Sequence, residues 1–338
     1  MSAPGCPDCG GSARAGHRFC EGCGRELGVR KTAVPVHDPV IVPQCSTCGE
    51  RRYEGGYCVQ CGSPKPVPDR FEDDLGAVYV LSDRGISHSR NEDSVAAAVR
   101  EGDGIRVIVV SDGVSTSQDP QAASGTASRT GVDAALAALA EGRSDADSVM
   151  AGLAAATAAV RGMSRTPEYA PSCTYVSAIV RETRAGTEIT VANVGDSRAF
   201  WLAAGVPTAS RRLSVDDSWA QALVDAGACD EETAMRDPRA HTLLRWLGAD
   251  GAETPWSANC LQRMIATEPG TLLLCSDGLW NYLPDAVALA GFTVETSPQA
   301  AARALADFAL NSGGSDNITV ALAPVTVSGA VSPESGVL

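Results

Sequence analysis

The sequence contains no apolar run that approaches the roughly 18 residues needed for a membrane-spanning helix. Its opening stretch, MSAPGCPDCGG, has neither the charged start nor the apolar segment of a secretory signal. The alanine-rich stretch from Ala134 to Val160 is interrupted by charged residues, so it predicts a pair of soluble helices. We therefore expect a cytoplasmic protein with no membrane partner.

Positive charge is also scarce. Lysine and arginine together number 27 against 41 aspartates and glutamates, which leaves a formal net charge of −14. Because a nucleic-acid backbone requires a basic surface, this balance argues against nucleic acid as the main substrate. It does not exclude a phosphorylated substrate, provided that metal ions neutralise the site locally.

Cysteine is concentrated at the N-terminal end. Eight of the 12 cysteines form four Cys-x-x-Cys pairs, which are Cys6/Cys9, Cys20/Cys23, Cys45/Cys48 and Cys58/Cys61. Two such pairs joined by a hairpin supply four tetrahedral ligands, so we expect two structural zinc sites. Disulfides or redox pairs are the alternative, but nothing indicates export and no thioredoxin-like βαβ pattern surrounds the pairs. The remaining cysteines are predicted to be small buried apolar residues.

Two proline-punctuated stretches without periodicity, VRKTAVPVHDPVIVPQ and SPKPVPDRFEDD, are typical of extended linkers. They divide the chain into predicted units. These units are a zinc ribbon at 1–28, a linker at 29–43, a second zinc ribbon at 44–64, a linker at 65–72, one large domain at 73–326 and a disordered tail at 327–338.

Within the large domain, strand-like runs occur in hairpin-like groups that are separated by helical stretches. Helices are expected at roughly 119–141 and 145–163, and again near 284–290 and 298–311. This order favours an α+β fold with antiparallel sheets over a doubly wound parallel sheet.

Two apolar strands in this domain end in Ser-Asp-Gly. VIVVSDGVS places Asp112 and Gly113 at a strand end, and TLLLCSDGLW does the same for Asp277. One Asp-Gly is most simply a turn. Three more motifs, however, place acids beside apolar strands: Glu92 and Asp93 in a turn after the first strand, Asp196 in a strand-to-strand turn, and Asp316 just before the last strand.

Carboxylates that are brought together repel one another and raise one another's pKa. The arrangement makes physical sense if hard divalent cations lie among them, and oxygen ligands suit Mg²⁺ or Mn²⁺. Two such ions can clamp a phosphate and lower the pKa of a bridging water. Gly113 could add a carbonyl ligand because glycine lets the main chain approach closely. We therefore interpret the strand-end acids as metal ligands.

From about Val78 to Val325 the chain resembles the metal-dependent Ser/Thr protein phosphatases of the 2C type, the PPM family. The resemblance rests on the ordered motifs RNEDS, VVSDGV, SCTYVSAIV, VANVGDSRAF, LLLCSDGLWN and SDNITV. It implies an α/β/β/α sandwich of two antiparallel sheets between helices, with a dinuclear Mn²⁺/Mg²⁺ site at one end. It also implies that a metal-activated water hydrolyses phosphoserine and phosphothreonine in a phosphorylated protein, as part of signalling in a Ser/Thr kinase pathway.

The resemblance also implies which residues act. Asp112, Asp277 and Asp316 would be the catalytic ligands. Asp112 would bridge both ions, the carbonyl of Gly113 would bind one of them, and Asp277 and Asp316 would hold the other.

Three further acids would have weaker roles. Glu92 and Asp93 would hold metal-bound waters, and Asp196 would help to bind a looser third ion. The polar region 206–256 would correspond to the family's variable flap beside the active site, where it could contact substrate.

The sequence departs from the family pattern at the phosphate. The family usually has an arginine five residues before Asp93, and here the residue is His88, with Arg84 and Arg90 close enough to replace it. The stretch VSTSQDP after Gly113 contains no general acid. The alternative to an active phosphatase is therefore a pseudophosphatase that acts as a binding or regulatory module, with the zinc ribbons as docking elements. A nucleic-acid-binding protein led by the ribbons is disfavoured by the acidic body.

Overall fold

The computed structural model of the chain describes residues 19–22, 27–35, 44–45, 47–55, 57–63, 69–164 and 170–326. Three cysteines of the predicted first zinc ribbon, Cys6, Cys9 and Cys23, lie outside the described residues, as does the predicted tail at 327–338. Within the described ranges, no helix combines the length and the apolar character required to cross a membrane.

The secondary structure of the described ranges alternates groups of strands with helices. The strands are β1 (Val29–Val34), β2 (Tyr53–Glu54), β3 (Tyr57–Cys58), β4 (Arg70–Asp74), β5 (Tyr79–Asp83), β6 (Asp93–Arg100), β7 (Arg106–Asp112), β8 (Ser172–Cys173), β9 (Tyr175–Thr183), β10 (Gly186–Val194), β11 (Arg198–Ala203), β12 (Arg211–Arg212), β13 (Leu247–Gly248), β14 (Leu261–Ala266), β15 (Gly270–Cys275) and β16 (Ile318–Val325). The helices are α1 (Pro120–Ala140), α2 (Asp145–Arg161), α3 (Trp219–Asp225), α4 (Glu231–Ala234), α5 (Asp277–Trp280), α6 (Ala286–Ala290) and α7 (Pro298–Asn311), with a 3₁₀ turn at Pro207–Ala209.

Two six-stranded antiparallel sheets form the centre of the molecule. The first has the order β1-β6-β7-β9-β10-β14, and the second has the order β12-β11-β15-β16-β5-β4. Their facing sides share one apolar core that includes Val80, Val110 and Leu272. Helices α1 and α2 cover the outer face of the first sheet, and α5, α6 and α7 cover that of the second. The predicted α/β/β/α sandwich is thus confirmed.

Strand β7 shows why the central strands are continuously apolar. Ile108 and Val110 face the core between the sheets, whereas Val107 and Val109 face the helical layer. A strand that is buried on both faces has no position for alternating polar residues. The helices expected at roughly 119–141 and 145–163 are also confirmed, since α1 and α2 fall within those bounds.

The predicted linker at 29–43 is wrong over its first six residues. Val29 to Val34 pair in antiparallel register with β6 and form an edge strand of the first sheet. The two valines are buried, while Lys31 forms an ion pair with Asp133 at 2.9 Å on the surface. Because an edge strand with one polar side needs few apolar residues, its sequence carries no strong strand signal.

The second predicted linker, at 65–72, is also wrong at its end. Arg70 to Asp74 form β4, which pairs with β5 at the edge of the second sheet. Most side chains of β4 are charged, so its sequence lacks the apolar pattern that indicates a strand. One of them, Glu72, forms an ion pair with Arg303 of helix α7. The sandwich therefore starts before residue 73 and includes β1 from between the two cysteine repeats.

Candidate active site

The two sheets bring acids from distant parts of the chain to one end of the sandwich. Asp93 is the first residue of β6 and lies directly opposite Asp112, the last residue of β7. The sequence placed Asp93 in a turn; this is wrong because the ladder between β6 and β7 extends to this pair. Glu92 immediately precedes β6, and its main-chain carbonyl accepts a hydrogen bond from Gly113 N at 3.1 Å.

A close contact between main chains joins the other two segments. Asp277 begins helix α5, and Asp316 lies two residues before β16. A Cβ atom at Gly278 would lie 1.9 Å from the main-chain oxygen of Asn317. Only glycine permits this approach, which holds Asp277 beside the segment that carries Asp316.

These acids interact electrostatically across the end of the sandwich. We call Asp93, Asp112, Asp196, Asp277 and Asp316 the acidic rim. Burial, followed by the charges of the other four acids, raises the pKa of Asp112 well above its usual range. Burial also raises the pKa of Asp93 to about 7 and that of Asp277 to about 6. Without cations, Asp93, Asp112 and Asp277 therefore keep protons that ordinary carboxyl groups lose.

Two oxygens of the acidic rim are buried without a hydrogen-bond partner among the described residues: Asp93 Oδ1 and Asp277 Oδ1. The second oxygen of each group is held, since Ser276 donates to Asp93 Oδ2 at 2.7 Å and Asn281 donates to Asp277 Oδ2 at 3.1 Å. A carboxylate with one oxygen held and the other bare is suited to bind a cation. The acidic rim therefore fits hard divalent cations with oxygen ligands, such as Mn²⁺ or Mg²⁺.

Glu92 differs from the acidic rim because protein groups bind both of its carboxylate oxygens. Arg90 Nε donates to Oε1 at 2.7 Å, and the Ser115 hydroxyl donates to Oε2 at 2.6 Å. Glu92 thus ties the loop before β6 to the loop after Gly113. Its predicted contact with metal-bound water stays a prediction.

Asn317 organises the same region, a role that the sequence did not suggest. Its Oδ1 accepts from the main-chain N–H of Glu92 at 2.7 Å. Its Nδ2 donates to the carbonyls of Arg84 at 2.7 Å and Arg90 at 3.1 Å. One side chain therefore fixes the loop from Arg84 to Glu92 against the start of β16.

The three predicted phosphate contacts have different partners. His88 Nε2 lies 3.1 Å from Asp316 Oδ1, which places its ring at the acidic rim. Arg90 binds Glu92, and its side chain is half exposed. Arg84 donates to Asp69 at 2.8 Å and also to the carbonyl of His88. Arg84 therefore supports the loop, whereas His88 and Arg90 lie next to acids of the site.

His241 is a residue of the site that sequence reasoning missed. It lies in the 206–256 region, and one of its ring nitrogens is within 4.8 Å of a carboxylate oxygen of Asp196 and of Asp277. Although the residue is exposed, partial desolvation of its ring, followed by the nearby charge of Arg198, lowers its pKa. The chain contains only four histidines, but nothing local in the sequence distinguishes this one.

A stack of side chains supports Asp196 and His241. The ring of Trp280 lies parallel to that of His241 at 5.6 Å, and its Nε1 donates to the main-chain oxygen of Asp196 at 2.8 Å. The guanidinium of Arg198 lies 3.6 Å from the centre of the Trp280 ring, and it forms a buried ion pair with Asp216. The cation–π contact and the ion pair therefore fix Trp280 and Arg198 in the layer that packs behind Asp196 and His241.

The described cysteines of the second repeat form a separate cluster. We call Cys45, Cys48, Cys58 and Cys61 the cysteine cluster, and their sulfurs all lie within 4.8 Å of one another. The short hairpin of β2 and β3 carries Cys58, and hydrogen bonds between Cys61 and Ser63 lower the pKa of Cys61 to about 6. Four thiol groups at this separation suit a tetrahedral cation.

Comparison with known proteins agrees with this fold and site. No protein-family model matches the chain. The serine/threonine protein phosphatase PstP of Mycobacterium tuberculosis is 32% identical over 251 residues, which cover 72% of this chain and 44% of that protein. The chain thus spans less than half the length of this curated relative.

Two solved structures share the fold. The PPM Ser-Thr phosphatase MsPP of Mycobacterium smegmatis, in complex with cacodylate, has a TM-score of 0.59 at 25% identity over 75% of this chain and 100% of that chain. The catalytic domain of PstP in complex with two manganese ions has a TM-score of 0.56 at 26% identity over 74% and 97%. The molecule therefore has the fold of the PPM-type Ser/Thr phosphatases. The relatives and the structural neighbours together support that family for this chain.

Proposed function

We propose that this protein is a metal-dependent phosphatase that hydrolyses phosphoserine and phosphothreonine in proteins. The observation that carries the proposal is the acidic rim, with its raised pKa values and the two bare buried oxygens of Asp93 and Asp277. The similarity to PstP and the fold shared with a manganese-bound phosphatase domain support the same conclusion.

The acidic rim would hold two Mn²⁺ or Mg²⁺ ions, and Asp112 would be a ligand shared by both. The carbonyl of Gly113 would contribute to one ion, and Asp277 and Asp316 would hold the other. When bound, such a pair of cations clamps a phosphate and lowers the pKa of a water. Hydrolysis would form one bond from the oxygen of water to phosphorus and break the bond between phosphorus and the Ser or Thr oxygen, so that inorganic phosphate and the free Ser or Thr hydroxyl group are released.

The chain's own side chains orient these groups. Ser276 holds Asp93 through one carboxylate oxygen and leaves the other bare. His88 Nε2 contacts Asp316, which leaves the Nδ1 atom of the ring for an incoming phosphate oxygen. The substrate class is a phosphorylated protein. A Ser/Thr kinase that phosphorylates the same substrate would act in the same signalling pathway.

Hydrolysis of a chromogenic phosphate ester and of a phosphothreonine peptide, with Mn²⁺ added, tests the proposal. We expect activity that a chelator removes and that Asp112→Asn lowers roughly 10³-fold. Asp133→Asn is the matched control because Asp133 lies on the exposed side of α1, away from the acidic rim. Activity that survives both the chelator and Asp112→Asn would overturn the proposal.

One observation favours the alternative of a binding module without catalysis. The residue at the usual arginine position, His88, is paired with Asp316, which is itself a proposed cation ligand. Absence of hydrolysis with any divalent cation, combined with retained Mn²⁺ binding, would support a pseudophosphatase that binds phosphoproteins.

The cysteine cluster has a different proposed role, that of a structural zinc site. The similar pairs Cys6/Cys9 and Cys20/Cys23 would form a second one, so metal analysis of the full chain should find about two zinc ions. A small hairpin of this kind folds around its metal. Both ribbons would then serve as docking elements for a partner of the phosphatase.

A further inference from the structure

The group formed by Asp196, His241 and Asp277 lies beside the proposed two-cation centre and contains a different type of ligand atom. Each residue offers one atom within 4.8 Å of the other two. His241 is exposed, and its ring stacks on Trp280. Asp277 Oδ1 is buried and has no hydrogen-bond partner among the described residues. A nitrogen and two carboxylates therefore face a common point.

The protein holds His241 in this position from two sides. Its ring stacks on Trp280, whose indole nitrogen binds the main chain of Asp196. The main chain on either side of His241 is also held, because Ala220 N donates to Ala240 O at 3.2 Å and Trp219 N donates to Thr242 O at 2.9 Å. The imidazole is thus placed by packing and by main-chain hydrogen bonds at the first turn of α3.

The local charge calls for a cation. Asp196 is buried, and its carboxylate lies within 4.8 Å of that of Asp277. The nearest cationic side chain behind it, Arg198, is already engaged with Asp216. A divalent cation between Asp196 and Asp277 would offset their repulsion.

We propose that His241 is a nitrogen ligand of a cation held with Asp196 and Asp277, so that this position selects Mn²⁺ or Zn²⁺ over Mg²⁺. The proposal rests on the proposed function, because Asp277 is shared with the two-cation centre. Imidazole binds transition-metal ions well, whereas Mg²⁺ prefers oxygen ligands. The cation would also join the 206–256 region to the rim, since His241 belongs to the former and both acids to the latter.

Pulsed EPR of Mn²⁺ bound to the full chain tests the inference, with zinc limited to the two equivalents that the cysteine sites take up, so that none is left for the His241 position. The wild-type protein should show hyperfine coupling to a directly bound nitrogen. His241→Gln should lose this coupling, and so should Asp196→Asn. His88→Gln is the matched control, because His88 is the other described histidine near the acidic rim, and it should keep the coupling.

Mn²⁺ titration in the presence of excess Mg²⁺ gives an independent readout. We expect His241→Gln to weaken the loosest Mn²⁺ binding event at least about tenfold, with the tighter events unchanged. Nitrogen coupling that persists in His241→Gln, or that is absent from a wild-type protein that binds Mn²⁺, would overturn the inference and leave the phosphatase proposal standing. A wild-type protein that binds no Mn²⁺ would overturn both.

Discussion

The acidic rim and the cysteine cluster both gather cation ligands, but the chain builds them in opposite ways. Residues of the rim region come from distant segments, as with Glu92 and Asn317, which are bonded although 225 residues apart in sequence. The cysteine cluster is local, with Cys45 and Cys61 only 16 residues apart. The rim is part of a sandwich that has its own large core, whereas two-residue strands carry the cluster.

This difference determines what a metal does in each place. The sandwich holds the acids of the rim together despite their mutual repulsion. Burial and this repulsion raise the pKa values of Asp93 and Asp277. A cation there relieves repulsion within an existing fold. The hairpin has too small a core to be stable alone, so its cation is expected to be part of its folding.

The largest expected effect comes from Asp112→Asn. We expect kcat to fall roughly 10³-fold, because loss of the bridging ligand removes several kcal/mol of transition-state stabilisation. The Tm of the cation-free protein at neutral pH should not fall. The substitution replaces a buried carboxyl group, which the other acids of the rim repel, with a neutral amide. A lower Tm without cations would mean that the acid stabilises the fold by itself.

Cys48→Ser should break the cysteine cluster and leave the rim intact. We expect the zinc content to fall by about one ion per chain, with loss of the NMR signals of the hairpin. Hydrolysis of the chromogenic ester should stay within about twofold of wild type, because the variant leaves the sandwich unchanged. Cys229→Ser, which alters a cysteine outside the repeats, controls for thiol loss and should keep all the zinc.

Gly278→Ala tests whether the close approach of the main chains at Gly278 and Asn317 positions Asp277 in the acidic rim. The added Cβ would meet the Asn317 oxygen, so we expect a loss of about 3 kcal/mol in unfolding free energy and a loss of activity. Gly205→Ala is the matched control, since its Cβ would meet only Glu268 Oε2, at 3.9 Å. Equal stability of the two variants in denaturant titrations would contradict the close contact.

Single alanine substitutions distinguish among the three residues that are predicted to bind the substrate phosphate. His88→Ala should raise KM about tenfold, which corresponds to one hydrogen bond to a charged group. Arg90→Ala should have a smaller effect on KM. Arg84→Ala should mainly lower Tm, because Arg84 binds Asp69 and the His88 carbonyl. If none of the three raises KM for the phosphopeptide, the phosphate site lies elsewhere.

The smallest effect is a pH dependence of stability. The raised pKa of Asp93, about 7 against an ordinary 3.8, means that the folded protein binds more protons than the unfolded chain between these values. The stability of the cation-free protein should therefore fall as pH rises from about 4 to 7. Mn²⁺ needs the deprotonated acids, so the Tm gain that it causes should grow over the same range. Parallel Tm curves with and without Mn²⁺ would contradict this linkage.

Local patterns in the sequence could predict the buried strands and the acids at their ends, whereas the sandwich is expected from the resemblance to the PPM phosphatases. Apolar runs such as Val107 to Val110 identify buried strands, and an acid at each strand end is readable without knowing the neighbours. The sequence could not predict β1, whose Lys31 and Thr32 belong to a polar edge strand that depends on β6 for pairing.

Residues whose roles depend on tertiary contacts could not be predicted from the sequence either. His241 comes from an irregular region and meets Asp196 only because Trp280 and the start of α3 place it there. Asn317 adjoins the predicted Asp316, yet its bonds to Glu92 and Arg84 span the two ends of the large domain. Such long-range pairings have no signal in a single sequence.

Anomalous X-ray diffraction from Mn²⁺-soaked crystals of the full chain tests the central claim most directly. The account predicts strong manganese peaks at the acidic rim, with one peak at about 2 Å from oxygens of both Asp112 and Asp277. Peaks confined to other surfaces, with the carboxylates of the rim bonded only to protein groups and water, would contradict it.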